Sequence, residues 1–430
     1  MRVELPARRL IPELLAENAA FRGLWMAQSI SLVGDQVSLL ALPLVAVLTL
    51  HAGPAEMGYL VAANLVPSLL FSLHAGVWAD RRGDRRGLMI ATDVGRAALL
   101  ATIPVAAALG VLSMTQMYVV AFLVGCLTVL FWVSYNALFV VLVPREQFIT
   151  GSSLLNGSRA VSFMAGPAIG GLLVQALTAP LAVGVDALSF VASALFMRGI
   201  DSPEPEPDPD AGSGGVMAGL RFIARDPIMR ASLGATATIN LFNFMFFALW
   251  ILFATKTLHV SAGALGLVIG AGAVGSVIGS VVTGAVQRRV GVGPTFAIGC
   301  LLFPAPLMLV PAAGGGRPLV LAMLFLAEFF SGLGVMMLDI TGGSISAALV
   351  PAGLRSRVAG SYMVVNYGVR PIGSLAGGLI GASLGLRPAV WVATVGAVAG
   401  VLWLLPSPIM RLRELPQPAE QPAEQPADLR

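Results

Sequence analysis

Four polar residues interrupt the first apolar run of the chain. Gln28, Ser31, Asp35 and Ser38 are spaced by 3, 4 and 3 residues, so a helix aligns them on one face. Asp35 falls near the middle of the run. A carboxylate there costs on the order of 2.5 to 3.5 kcal/mol on insertion into hydrocarbon, so it must face a wet cavity or a partner. Carboxyl groups shielded from water hold their protons to higher pH than those in solution, which would allow proton uptake and release near neutrality. The rival account is a fixed structural hydrogen bond. A later apolar run repeats the device, with Glu328, Ser331 and Asp339 on one face. Glu328 is the deeper acid, and Asp339, nearer the end of the run, has the simpler alternative of an anchor. Asp35 and Glu328 are therefore the candidates for proton coupling.

Other residues inside apolar runs suggest binding. Asp93 and Arg96 stand one turn apart and are expected to neutralise each other as a charge network. Arg159 and Arg370 either hold an anionic substrate or pair with acids across a cavity, and Asp186 reads as structural. "FWVSYN" contributes Trp132, Tyr135 and Asn136, and "NLFNFMFF" contributes Asn240, Asn243 and Phe247. Aromatic surface with a few amides suits a large, partly apolar ligand. With Gln28 and Arg370, these residues are the substrate-cavity candidates. His51, His74 and His259 fall at the ends of runs, and Cys126 and Cys300 read as small core residues. No phosphate loop, metal-ligand cluster or nucleophile elbow occurs, so neither an enzyme nor a cofactor or metal is expected.

The elements that carry these residues follow from composition. Of 430 residues, 57% are hydrophobic and 11% charged, far from the balance of a water-soluble domain. Continuously apolar stretches near 24–49, 57–79, 88–110, 116–143, 151–178, 181–197, 232–255, 261–285, 294–312, 318–349, 355–385 and 388–406 predict twelve transmembrane helices in an all-α membrane protein. A β-barrel would alternate instead. The first twenty residues are too polar for a signal peptide, so the first span is expected to be uncleaved.

Arginine placement orients the spans. Lys256, Arg317 and Arg387 are the only basic residues in one set of alternate loops, and Arg96, Arg159 and Arg370 lie inside spans. All the remaining basic residues occupy the termini and the other loops. This asymmetry places both termini in the cytoplasm and removes any need for a nucleic-acid partner.

The chain divides in two. Residues 1–23 form a cytoplasmic segment, 24–199 a six-helix bundle, 200–231 a cytoplasmic linker, 232–406 a second bundle, and 407–430 a low-complexity tail. The linker's acid- and Pro-rich "IDSPEPEPDPDAGSGGV" precedes "VMAGLRFIARDPIMR", expected to lie as a helix on the membrane surface. The bundles share sequence. "LVP" recurs after 207 residues (142 to 349), as does "GPAIGGL" in the form "GSLAGGL" (166 to 373), while "GVWADRR" finds "GAVQRRV" after 208 (76 to 284). Three matches at nearly one spacing indicate a duplicated six-helix unit, the pseudo-symmetric layout of major facilitator transporters.

"GVWADRRGDRRG" resembles the cytoplasmic signature of the major facilitator superfamily between helices two and three. Gly76, Asp80, Arg81, Gly83 and Arg85 match it, and Asp84 stands where a basic residue is usual. The resemblance implies a cytoplasmic gate, made in one orientation of the halves and broken in the other. "GPAIGG", with Gly166, Pro167, Gly170 and Gly171, is similar to the core of the antiporter motif of proton-coupled exporters, with Ser153 and Ser162 in place of upstream glycines. Together with "TDVGRA", "LVPREQ", "DALSF" and "LRSRV", the pattern looks like the twelve-helix bacterial exporter subgroup that includes enterobactin and macrolide exporters. That implies secondary export of a small amphiphilic compound, drug or siderophore-like metabolite, by proton antiport across the inner membrane. Its partners are then the substrate, protons and the bilayer, and nothing implies an oligomer. An importer on the same fold and a non-transporting sensor or scaffold are the alternatives.

Overall fold

A computed structural model describes residues 12–82, 84–200 and 216–415, excluding the side chains of 72–82, 216 and 352. The fold is all-α. Long runs of apolar residues with few interior breakers form the helices α1 (Ala19–Leu44, continued by a π-helical turn Val45–Thr49), α2 (Pro54–Arg82), α3 (Arg85–Ala108), α4 (Met114–Leu142), α5 (Phe148–Ala176) and α6 (Ala179–Arg198). A short helix, Val216–Arg225, precedes α7 (Pro227–Lys256), α8 (Ala262–Val290), α9 (Val292–Leu302, extended by shorter turns to Ala312), α10 (Arg317–Leu349), α11 (Arg355–Leu384) and α12 (Leu386–Val398, extended to Leu404). Side-chain oxygens of Asn18, Ser113, Thr178, Asp226 and Ser261 cap α1, α4, α6, α7 and α8.

Among the described residues, nine of these segments are long and apolar enough to cross a membrane. The three that fall short are α2, α5 and α11, whose sequences carry Asn, Ser, Arg and many small residues. The packing explains their composition, because these helices line the junctions between the halves. Within the first six helices, α1 packs on α5 and α6, α3 on α4 and α6, and α2 on α4. The same pattern recurs six helices later, with α7 on α11 and α12, α9 on α10 and α12, and α8 on α10. Two seams join the sets, α5 against α8 and α2 against α11.

The repeat extends to single residues. His51 and His259, 208 positions apart, both hold positive φ (56° and 52°) where α1 and α7 end. The next residues close equivalent bonds, Ala52 N–H to Ala46 C=O and Val260 N–H to Ala254 C=O, each 2.9 Å.

One end of the molecule is sealed and the other divided. At the end opposite the termini, one apolar core draws on both halves, including Val37, Leu44 and Phe190 from the first and Phe246, Trp250 and Leu265 from the second. At the end bearing the termini, the cores are separate, one confined to residues up to Ile200 and two to residues beyond 220. The short helix lies against α11 with Gly219 and Ile223 buried and Arg221 and Arg225 exposed.

Residues 201–215 of the linker, residues 1–11 and the tail from 416 lie outside the described residues. So does Gly83 of the gate motif; Gly76, Asp80 and Arg81 sit on the last turns of α2 without described side chains, and Arg85 opens α3. Asp84 caps α3, accepting from Gly87 N–H at 2.6 Å. An acid in place of the usual base thus has a local reason, since Asp is among the strongest helix N-caps.

Candidate transport site

The helix α1 aligns its polar face as its spacing requires, and α6 and α3 complete the neighbourhood. Asp35 is half-buried at the wall of a cavity of about 400 Å3 that it shares with Ser38, Asn64, Asp186 and Phe190. Ser38 Oγ donates to Asp186 Oδ2, and Ser189 Oγ donates to Asp186 Oδ1 at 3.0 Å. Gly34 permits this approach, because a Cβ there would collide with Ser189 and Asp186. Deeper in the same bundle, Arg96 and Asp93 form an ion pair, both buried. Ser193 Oγ donates to Asp93 Oδ2 at 2.6 Å, and the Arg96 guanidinium lies between the rings of Phe131 (4.4 Å) and Phe190 (4.1 Å). Arg96 is also the cation that Asp35 and Asp186 feel.

Glu328 sits on α10 at the wall of a second cavity, about 180 Å3, with Gln36, Asn243, Phe246, Phe247, Trp250 and Ser331. Trp250 Nε1 is buried there without a hydrogen-bond partner. Leu39 and Phe247, one from each half, line both cavities, so the cavities of the two acids share part of their walls.

The remaining cavity candidates do not converge. Gln28, Trp132, Tyr135 and Asn136 line a cavity of about 280 Å3 between α1, α4 and α5, together with Arg159. Asn240 and Arg370 line another, about 380 Å3, between α7, α9, α10 and α11, where Asp339, Tyr362 and Asn366 join them. There Arg370 Nε donates to Asn240 Oδ1 (3.1 Å), Asn240 Nδ2 to Asn366 Oδ1 (3.0 Å), and the guanidinium stacks on Tyr367 (4.0 Å). Asp339 thus faces a cavity beside an arginine.

The glycine motif of α5 packs in two directions. Gly166 and Gly170 lie against Gln36 and Val37 of α1, whereas Gly171 meets Gly266 and the Ala262 carbonyl of α8. Its repeat does the same, Gly373 and Gly377 against Leu241 and Met245 of α7, and Gly378 against Pro54 and Gly58 of α2. A Cβ on Gly171 would stand 3.1 Å from the Cα of Gly266. Gly171→Val should therefore cost about 1–3 kcal/mol by overpacking, read as a lower unfolding midpoint in detergent. Gly157→Val, whose Cβ site has nothing within 4 Å, is the control and should change the midpoint little.

The sequence profile of a family described as transmembrane secretion effectors matches residues 15–428. The chain belongs to this family. It is of the major facilitator type, with nine helices among the described residues long and apolar enough to cross a membrane. Among curated relatives, an MFS-type transporter of Bacillus subtilis, YfiS, is 28% identical over 228 residues, 50% of this chain and 52% of the relative. Macrolide efflux protein A of Streptococcus pyogenes is 24% identical over 185 residues, 43% and 45% respectively. The chain spans about half the length of the curated relatives it matches. Among solved structures, a point mutant of the nucleoside transporter NupG superposes with a TM-score of 0.72 at 12% identity, covering 89% of this chain and 98% of NupG. A bacterial homologue of the iron transporter ferroportin in an inward-facing state gives 0.71 at 16%, covering 90% and 98%. At these identities the likeness is one of fold.

Asp186, read from the sequence as structural, is bonded to Ser38 and Ser189 in the wall of the cavity that Asp35 lines. The spacing of Asp186, Ser189 and Ser193, by 3 and 4, marks a polar helix face as clearly as that of α1. Gln36 and Asn64 gave no such signal, because an isolated amide in an apolar run has no partner in the pattern.

Proposed function

We propose that this transporter exports small amphiphilic compounds, drug- or siderophore-like, by proton antiport and alternating access. The reading places twelve spans in two six-helix bundles, 24–199 and 232–406, in the inner membrane with both termini in the cytoplasm. The observation that carries it is that Asp35 and Glu328 line two cavities that both draw on residues of the two halves and share Leu39 and Phe247. Carboxyl groups at membrane depth are costly and mark ion pathways. The described arginines Arg85, Arg145, Arg198, Arg288 and Arg355, at helix ends, fall at the divided end, which supports a cytoplasm-facing opening. The motif Gly166, Pro167, Gly170, Gly171 and the macrolide efflux relative favour export over import. Asp93 and Arg96 then brace the first bundle. Gly76, Asp80, Arg81, Gly83 and Arg85 latch the cytoplasmic side. Gln28, Trp132, Tyr135, Asn136, Asn240, Asn243, Phe247 and Arg370 meet the cargo.

Inside-out vesicles test this reading with anionic, neutral and cationic lipophilic dyes. An acid interior should drive dye uptake, and nigericin should abolish it. An importer would show the opposite gradient dependence. Uptake indifferent to the gradient would remove proton antiport, and no flux of any dye by folded protein would favour a sensor or scaffold.

A further inference from the structure

The cavities at the divided end are copies of one another. Trp132, Tyr135, Asn136, Phe139, Leu155 and Arg159 line the first; adding 207 to each number gives Asp339, Gly342, Gly343, Ser346, Tyr362 and Asn366, which line the second. Backbone placement has been kept while the side chains have diverged, and the divergence is one of charge. The second cavity holds an acid, Asp339, as well as Arg370, whose guanidinium is already bonded to Asn240. The first holds Arg159 and no acid.

Arg159 differs from the other intramembrane arginines. Arg96 is paired with Asp93. The Arg159 guanidinium lies 5.1 Å from the ring centre of Trp132, is exposed toward the cavity, and has no ion pair or hydrogen bond among the described residues. Gln28, which lines the same cavity, is 3% exposed and its Oε1 has no hydrogen-bond partner. A cation and a buried acceptor left open in one cavity define what would satisfy them. Cations at membrane depth require a counter-charge, and a buried acceptor requires a donor.

We infer that the cargo is an amphiphilic anion whose carboxylate, sulfonate or phosphate is received by Arg159. Its aromatic or apolar body lies on Trp132 and Tyr135, and a hydroxyl or N–H on it donates to Gln28 Oε1. The planar guanidinium suits a two-oxygen anion, and its stacking on an indole keeps it oriented without a protein carboxylate. The inference rests on the export reading and names its substrate class.

Fluorescein and rhodamine 123 share a xanthene scaffold and carry opposite charge, so they separate the possibilities. With the full chain in proteoliposomes, fluorescein should bind and be carried, and rhodamine 123 should be disfavoured. Arg159→Gln should raise the KM for fluorescein by about tenfold to a hundredfold, the usual range for a lost charged hydrogen bond, with kcat little changed. Arg159→Lys should recover part of the loss, and rhodamine 123 should gain in Arg159→Gln. An unchanged melting temperature in both variants would show that the fold is intact. Gradient-driven flux of rhodamine 123 alone would overturn the anion inference and leave export standing, as would fluorescein kinetics unaltered by Arg159→Gln. Binding and flux of neither dye would overturn both.

Discussion

Asp35→Asn should sharply reduce gradient-driven flux while leaving substrate binding intact. The amide has nearly the shape of the carboxyl group but no proton to exchange. Typical coupling free energies of about 1–3 kcal/mol correspond to roughly 5- to 150-fold, and gradient-driven uptake should fall by a factor in that range. Binding should stay close to the wild-type value, because Asp35 is half-buried in a cavity wall and its removal disturbs no ion pair among the described residues. Glu328→Gln tests the opposite wall in the same assay. Its neighbours Gln36, Asn243 and Ser331 accommodate an amide without leaving a charge unpaired. Full gradient dependence retained in both variants would remove these acids from the coupling path. Loss in one alone would assign the path to that half.

Arg96→Leu should be the most destabilising single change in the first bundle. Arg96 is buried between Phe131 and Phe190 and ion-paired with Asp93. Removing one partner of a buried pair leaves the other charge uncompensated, at about 3–5 kcal/mol, and the stacked rings lose about 2 kcal/mol or less besides. Asp35 and Asp186 lose the favourable charge of Arg96 at the same time. We expect a sharp fall in the detergent unfolding midpoint and in the yield of monodisperse protein. Arg96→Lys should be intermediate, because it keeps the charge and gives up the planar stack. The double variant Asp93→Asn/Arg96→Leu should be more stable than Arg96→Leu alone, since it removes the orphaned charge. A single variant as stable as wild type would show that the pair contributes nothing.

The class of the protein and its internal repeat were legible in the amino-acid sequence, for a physical reason. A bilayer demands long uninterrupted apolar helices, and that demand is written residue by residue in composition. Duplicated backbone contacts require the same small residues at the same places, so "GPAIGG" and "GSLAGGL" kept their spacing. The Asp93–Arg96 pair was legible because one helical turn suffices to bring its members together. Fold class, arginine asymmetry and the polar face of α1 are likewise local properties.

Only the tertiary structure decided which residues share a cavity. Asp186 meets Ser38 across 148 residues of sequence, and no spacing within one helix encodes that meeting. Glu328 and Asp35 fall in different cavities that share Leu39 and Phe247, residues from different halves. The candidates Gln28, Trp132, Tyr135 and Asn136 part from Asn240 and Arg370 because the two halves keep separate cores at the end bearing the termini. Trp132 against Asp339, and Arg159 against Asn366, are equivalent positions whose side chains no longer match. Helix packing conserves backbone geometry through small residues, whereas cavity-lining side chains make few packing demands and diverge freely. The chemistry of the walls therefore becomes readable only when the two copies are laid side by side in three dimensions.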